Sequence, residues 1–173
     1  MNISPREAIA AVLLTGGVLS CARSSRDHDA WQRVLAADSL ALERTSCFGT
    51  CPAYRLRVTR TGAVLFVSRN ADDSGRTVTD SVSVQTYTLL LNQVQEAQFL
   101  DLPERIEGDH RFCSLIGTDA PTATVTIFMP GLTKRVEDYH GCFSAPAALR
   151  DLERAIDHVL GSEGWVRPAR LRS

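Results

Sequence analysis

The sequence carries almost no net charge, because 19 lysine and arginine residues are balanced by 20 aspartate and glutamate residues. Nucleic-acid binders need a basic patch to neutralise phosphates, so this balance argues against a nucleic-acid partner. No apolar run reaches the roughly 20 residues of a membrane-spanning helix. The sequence also lacks internal repeats, a phosphate-binding glycine loop and the G-x-S-x-G motif of serine hydrolases. What remains is a chain of 173 residues, enough for one globular domain.

The N-terminal segment differs from the rest of the chain. The apolar, uncharged run from Ala8 to Leu19 follows Arg6, and its size is that of a signal-peptide core, about 7–15 residues. It ends in the sequence VLSC, which resembles a bacterial lipobox. We therefore expect residues 1–20 to be a signal peptide and Cys21 to be the lipidated residue that anchors the protein to a membrane. A secretory signal cut after Ala22 and a buried helix of a cytosolic protein are the alternatives.

The remaining chain divides by composition into three parts. Residues 21–37 are polar and initially rich in Ser and Arg, which indicates a lipid-anchored tether that includes at most a short helix from Trp31 to Ala37. Residues 38–162 form the single predicted domain, and residues 163–173 form a C-terminal tail.

Four cysteines lie inside the predicted domain: Cys47, Cys51, Cys113 and Cys142. An even number of cysteines in an exported domain indicates disulfides, although four cysteines allow three pairings. Cys47 and Cys51 are close enough in sequence for a local bridge. Cys113 and Cys142 flank a strand–turn–strand segment, and the loop after Cys113 must fold back if they are to meet. We favour the pairs Cys47–Cys51 and Cys113–Cys142.

Hydrophobic periodicity predicts an α+β fold. Alternating residues predict strands at 39–44, 53–59, 63–68, 76–82, 122–129 and 133–139. Helical spacing predicts one helix at 84–97 with Ser83 as N-cap, and a last helix with Ser144 as its cap. The order is β-β-β-β-α-β-β-α, in which hairpins form an antiparallel sheet and two helices pack on one face.

The run from Arg44 to Tyr54, RTSCFGTCPAY, resembles the R-x-x-C-x-G-x-C-P-x-Y signature of a bacterial family of unknown function. The segment TDAPT at residues 118–122 and the following strand, turn, strand and helix are also similar to this family, so the resemblance spans about residues 38–160. The resemblance implies an exported or lipid-anchored protein and no particular activity. Cys113 and Cys142 lie outside the family pattern, which supports a bridge between them.

The cysteine motif also allows a metal-binding interpretation. Cys47-x-x-x-Cys51-Pro52 is similar to the C-x-x-x-C-P motif of thioredoxin-fold copper chaperones, and His140 lies downstream as a third ligand. Soft thiolates and an imidazole suit Cu(I). In that fold a helix follows the motif, whereas Tyr54 here begins a predicted strand, and no helix N-terminus lowers the thiol pKa. We therefore expect neither metal nor cofactor.

Three further groups contain residue types that take part in binding or catalysis. They are the acid–histidine group Asp109, His110, Asp119, Asp138 and His140, the hydroxyl group Ser114, Thr118 and Ser144, and the arginine group Arg55, Arg57 and Arg60. The first suits zinc or acid–base chemistry, the second contains the candidate nucleophiles, and the third suits anionic lipid headgroups or an acidic partner. Ordinary solvated positions in loops and strands account for all three groups.

We therefore expect a non-catalytic binding or structural module of the bacterial cell envelope, facing the periplasm or the cell exterior. It is held at the membrane by its N-terminal lipid and binds another envelope protein. One alternative is a periplasmic copper-binding or thiol-redox protein that uses Cys47, Cys51 and His140. Another is an inhibitor-like domain that binds proteins.

Overall fold

The computed structural model describes residues 28–166. The predicted signal peptide, the lipidation residue Cys21 and the end of the predicted tail, residues 167–173, lie outside the described residues. Within the described part, no helix combines the length and apolar character needed to cross a membrane.

The described chain consists of strands and helices, with one long irregular segment at 102–121 before β5. In chain order they are α1 (28–35), β1 (Ser39–Arg44), β2 (Tyr54–Thr59), β3 (Ala63–Ser68), β4 (Thr77–Ser81), α2 (Val84–Glu96), β5 (Thr122–Met129), β6 (Leu132–Tyr139) and α3 (Ala147–Leu160). Single 3-10 turns follow α2 at Phe99–Asp101 and α3 at Ser162–Gly164.

The strands form a six-stranded antiparallel sheet in the order β4-β3-β2-β1-β5-β6. The predicted hairpins are present, and Gly62 supplies the positive φ of +85° that the β2–β3 turn requires. Strand β1 pairs with β5 on its other side, where Leu42 lies opposite Val125. Since β1 and β5 are far apart in sequence, this contact joins the first strand group to the second.

Only one face of the sheet is buried. The alternating residues Leu40, Leu42, Leu56, Val58, Phe66, Val125, Ile127 and Val136 point into the core. The opposite face carries solvated polar residues, including the pair Arg55–Glu43, whose Nη2–Oε2 distance is 2.6 Å. Arg57 on that face donates to Ser39 and lies over the ring of Phe128.

Helices α2 and α3 pack against each other and contribute Tyr87, Leu91, Leu149 and Leu152 to the buried cluster. The predicted order is only partly matched. The short helix expected at 31–37 within the tether is present as α1 at 28–35, and it packs on the domain, adding Val34 to the same core. The prediction that two helices cover the sheet was therefore incomplete, because it left out α1. The helical pattern of α1 is short, and its packing depends on residues distant in sequence.

The caps and boundaries differ in detail from the predictions. Ser83 caps α2 as predicted, since its side chain accepts from the backbone N–H of Thr86 at 3.0 Å. The predicted cap Ser144 does not cap α3, which starts after Pro146 without a side-chain cap. Contacts with the core continue past the predicted domain end at residue 162, since the ring of Trp165 packs edge-on against the ring of Phe66 with centroids 5.8 Å apart.

Candidate functional site

Two disulfides lie where β1 ends and β2 begins, and where β5 begins and β6 ends. Cys47 pairs with Cys51, with Cα atoms 5.4 Å apart, and Cys113 pairs with Cys142, with Cα atoms 5.5 Å apart. Both separations lie in the ordinary disulfide range. This is the pairing that the sequence favours, and it braces the loops at one end of the sheet.

The loop after Cys113 does fold back, as this pairing requires. Ile116 forms an antiparallel bridge with Cys142, and the Gly117 N–H donates to the Gly141 carbonyl at 2.7 Å. The Tyr139 hydroxyl donates to the Gly117 carbonyl at 3.0 Å. This short pairing continues past the paired ends of β5 and β6 and brings Cys113 to Cys142.

The braced loops expose large apolar side chains. Phe48 is 90% exposed, Phe143 is 65% exposed, and Leu115 and Ile116 are more than half exposed. Backbone hydrogen bonds connect their segments, since Phe48 N–H donates to the Asp119 carbonyl and Phe143 N–H donates to the Leu115 carbonyl. We call Phe48, Leu115, Ile116 and Phe143 the apolar tip. Large apolar side chains exposed on neighbouring segments are typical of interaction sites.

A second feature lies beneath these loops, between the buried face of the sheet and α3. Several charged side chains meet there: Arg44, Asp138, His140, Arg150, Glu153 and Asp157. We call them the charged cluster. They meet because Arg44 and Asp138 are inward-facing positions on the strands flanking β5, both opposite Ala123. Glu153 and Asp157 lie on the buried stripe of α3.

Asp157 joins the two ends of the cysteine motif. Its Oδ2 accepts from Arg44 Nε at 2.9 Å, and its Oδ1 accepts from the hydroxyls of Tyr54 and Ser162, each at 2.6 Å. Arg44 and Tyr54 are cross-strand partners of β1 and β2. The first and last residues of the signature therefore clamp the disulfide loop onto α3, which is a structural role.

The other half of the charged cluster contains Asp138, His140 and Glu153. His140 Nε2 lies 2.8 Å from Glu153 Oε2 and 3.8 Å from Asp138 Oδ2. Arg150 Nε donates to Asp138 Oδ2 at 3.0 Å. Both carboxylate side chains are 1% exposed, and their remaining oxygens, Asp138 Oδ1 and Glu153 Oε1, have no hydrogen-bond partner in the described structure.

Burial shifts the pKa values of several cluster groups. Desolvation raises the pKa of Glu153 despite its hydrogen bond to His140, and desolvation together with Asp157 raises the pKa of Tyr54. Desolvation is the largest single influence on Arg44 and lowers its pKa, but the charges of Asp157, Tyr54 and Glu153 together with the hydrogen bond to Asp157 outweigh it, so the pKa is raised. Arg44 and Tyr54 therefore remain protonated and serve Asp157 as donors.

The structure separates the residues that the sequence grouped. It brings Asp138 and His140 together with Glu153 as the one group of three metal-ligating side chains in the described range, and Asp109, His110 and Asp119 are not part of it. Asp109 instead forms an exposed pair with Arg111, whose hydrogen bonds lower the pKa of Asp109 to about 2.

The remaining candidates also have local partners. The Ser114 and Ser144 hydroxyls lie 3.2 Å apart and join the two loops. Arg60 donates to the Ala37 carbonyl at 3.1 Å. Because Cys47 and Cys51 are bonded to each other, the copper alternative requires that bridge to be reduced.

Sequence reasoning missed Glu153, Asp157 and Arg150. A signal for the first two was present, because both fall on the stripe that includes Leu149 and Ile156, at positions where a buried helix face is normally apolar. A charged residue on such a stripe predicts a buried partner. Their partners on β1, β2 and β6 become neighbours only in the folded chain.

The comparison with known protein families identifies one match. The profile of the family described as "Domain of unknown function (DUF6438)" matches residues 38–160. The curated proteins include no match to the chain.

Proposed function

Starting from the finding that the chain belongs to the DUF6438 family of domains of unknown function, we propose that it is a lipid-anchored, non-catalytic module of the bacterial cell envelope. In this proposal the apolar tip binds the apolar surface of another envelope protein. The observation that carries the proposal is the exposure of four large apolar side chains on three loops that two disulfides brace.

Oxidised cysteines support the envelope location. Disulfides persist in oxidising compartments and are rare in a reducing cytosol. Two bridges in one small domain, one of them closing only a short loop, are typical of exported proteins. The lipobox-like sequence that ends at Cys21 supplies the means of anchoring.

The direction of β1 supports a protein partner over the anchoring membrane itself. The chain enters the sheet at Ser39 and reaches the braced loops after Arg44, at the other end of β1. A six-residue strand spans about 17 Å. The tether joins the domain through α1, which leads into the Ser39 end of β1; in this proposal that end lies towards the membrane and the apolar tip points away from it.

A photo-crosslinking experiment tests the apolar tip. A photoreactive phenylalanine analogue replaces Phe48 or Phe143 in separate variants expressed in a bacterial envelope, and replaces Leu89 as the matched control. Leu89 is also exposed, at 61%, but lies on α2. We expect one discrete adduct from both tip positions and none from Leu89. The captured protein, once purified, should bind the wild-type domain and lose about tenfold in affinity with Phe143→Ala, since apolar anchors dominate interfaces. Equal adducts from all three positions would contradict a specific tip.

Intact mass tests the anchor and the bridges together. The protein is alkylated under non-reducing conditions after isolation from the envelope. We expect a chain that begins at an acylated Cys21 and carries no alkylated cysteine. A mass without lipid, or alkylation at Cys47 and Cys51, would overturn the anchored, doubly bridged form.

A further inference from the structure

The proposal concerns the three side chains Asp138, His140 and Glu153 of the charged cluster. Asp138 is the last inward-facing residue of β6, and His140 follows it in the next turn. Glu153 approaches from the buried stripe of α3. One ligand atom from each residue lies within 4.8 Å of the other two.

These separations fit a small cation. Zinc binds imidazole nitrogen and carboxylate oxygen at about 2.0–2.2 Å, so ligand atoms around a tetrahedral ion lie about 3.3 Å apart. The distances from His140 Nε2 to Glu153 Oε2 and to Asp138 Oδ2, 2.8 Å and 3.8 Å, lie on either side of that value. The third pair, Asp138 with Glu153, lies within 4.8 Å, so a bound ion requires these two side chains to rotate towards each other.

The buried carboxylates supply a second, independent observation. Asp138 Oδ1 and Glu153 Oε1 are buried and accept no hydrogen bond among the described residues. Buried carboxylates are normally paired or bind metal, because an uncompensated charge in the interior is unfavourable. An ion between the two side chains gives each of these carboxylates the positive partner that its second oxygen lacks.

The two neighbouring arginines do not compensate all of the carboxyl groups of the charged cluster, so an added positive charge can be accommodated there. Arg44 is held by Asp157 at 2.8 Å, and its nearest Glu153 oxygen is 3.7 Å away. Arg150 reaches Asp138 through Oδ2 alone. The cluster contains three carboxyl groups, those of Asp138, Glu153 and Asp157, but only two guanidinium groups. His140 is 27% exposed and provides a route from solvent.

We propose that Asp138, His140 and Glu153 form a binding site for a divalent ion of the zinc class, with one coordination position open to solvent. This departs from the sequence-based expectation of no metal. One nitrogen and two oxygens suit Zn²⁺, and three protein ligands with an open position form a familiar zinc arrangement. The site is independent of the apolar tip and of the two bridges.

Calorimetric titration with Zn²⁺ tests the site. The full domain is used with its purification tag removed, after treatment with a chelator and in a buffer that does not bind metal. We expect one ion per chain. His140→Ala and Glu153→Gln should each weaken binding by at least about tenfold, a loss that even residues outside the coordination shell can cause.

Matched substitutions on the exposed side of α3 serve as controls. His158 and Asp151 are exposed, so His158→Ala and Asp151→Asn should leave the affinity unchanged. Circular dichroism establishes that each variant is folded, and the visible spectrum of the Co²⁺ form reports directly on coordination. Bands of a four-coordinate ion should appear in the wild type and vanish in His140→Ala. No stoichiometric binding by the wild type, or equal losses in His158→Ala and His140→Ala, would overturn the proposal.

Discussion

Substitution of Asp157 should lower the free energy of unfolding of the domain strongly, because its carboxylate has several buried partners. In Asp157→Ala, Arg44 loses contacts of 2.8 and 2.9 Å, and the hydroxyls of Tyr54 and Ser162 each lose an acceptor at 2.6 Å. Breaking a buried ion pair by removing one partner costs about 3–5 kcal/mol, because the other charge stays buried. Glu153 lies 3.7 Å from Arg44 and offsets part of this loss. We therefore expect the lower end, about 3 kcal/mol of unfolding free energy, or a fall in Tm of about 10 °C.

Urea denaturation without reductant measures this change while both bridges stay intact. The fluorescence of Trp31 and Trp165 reports unfolding, because both side chains pack against the core. Asp151→Ala is the matched control on α3, since Asp151 is exposed and pairs with Arg154 on the surface. Its effect should stay within about 0.5 kcal/mol.

A double-mutant cycle separates the ion pair from other effects of the substitution. Arg44→Met removes the guanidinium, so Arg44→Met/Asp157→Ala contains no buried charge without a partner. We expect the double variant to be more stable than the sum of the single effects by about 2 kcal/mol. The reasoning is refuted if the two effects add, or if Asp157→Ala costs less than about 1 kcal/mol.

Two further perturbations probe the braced loops and the turns. Cys113→Ser should lower the free energy of unfolding in urea by about 3.5 kcal/mol and Cys47→Ser by about 2 kcal/mol. The difference is expected because the Cys113–Cys142 bridge spans 29 residues and the Cys47–Cys51 bridge only 4. A larger loss in Cys47→Ser would contradict the assigned pairing. Gly62→Ala should lower Tm more than Gly131→Ala, because a Cβ at Gly62 meets the Val82 backbone while the space at Gly131 is open. Both positions have positive φ, so strain of about 1–2 kcal/mol is common to them. Equal melting temperatures would refute the steric argument.

The family signature gains a physical meaning from the charged cluster. In the sequence, RTSCFGTCPAY appears as a cysteine motif, which suggests metal or redox chemistry at its two sulfur atoms. In the structure those sulfurs form a local bridge, and the outer residues Arg44 and Tyr54 point inward to Asp157. The motif is therefore a clamp between two strands and α3.

Local patterns were sufficient to predict most of the secondary structure. Strands β1, β3 and β5 have the predicted bounds, because alternation in β1, continuous apolar character in β3 and β-branched residues in β5 are each delimited by flanking Gly, Pro or polar residues. Ser83 was predictable as a cap because a serine hydroxyl satisfies a free N–H in the first turn. The prediction that Ser144 caps α3 was wrong, because the Ser144 hydroxyl accepts a hydrogen bond from the Ser114 N–H of the other loop instead.

The sequence by itself determined the strand-rich α+β character, the hairpins and the favoured cysteine pairs, since each depends on residues near one another or on few alternatives. Only the tertiary structure decided that β1 lies between β2 and β5, that α1 belongs to the core, and that the charged cluster exists. The cluster joins Arg44 to residues more than a hundred positions later. No local pattern encodes such a contact, because it arises from the packing of α3 across strands whose order the whole sheet sets.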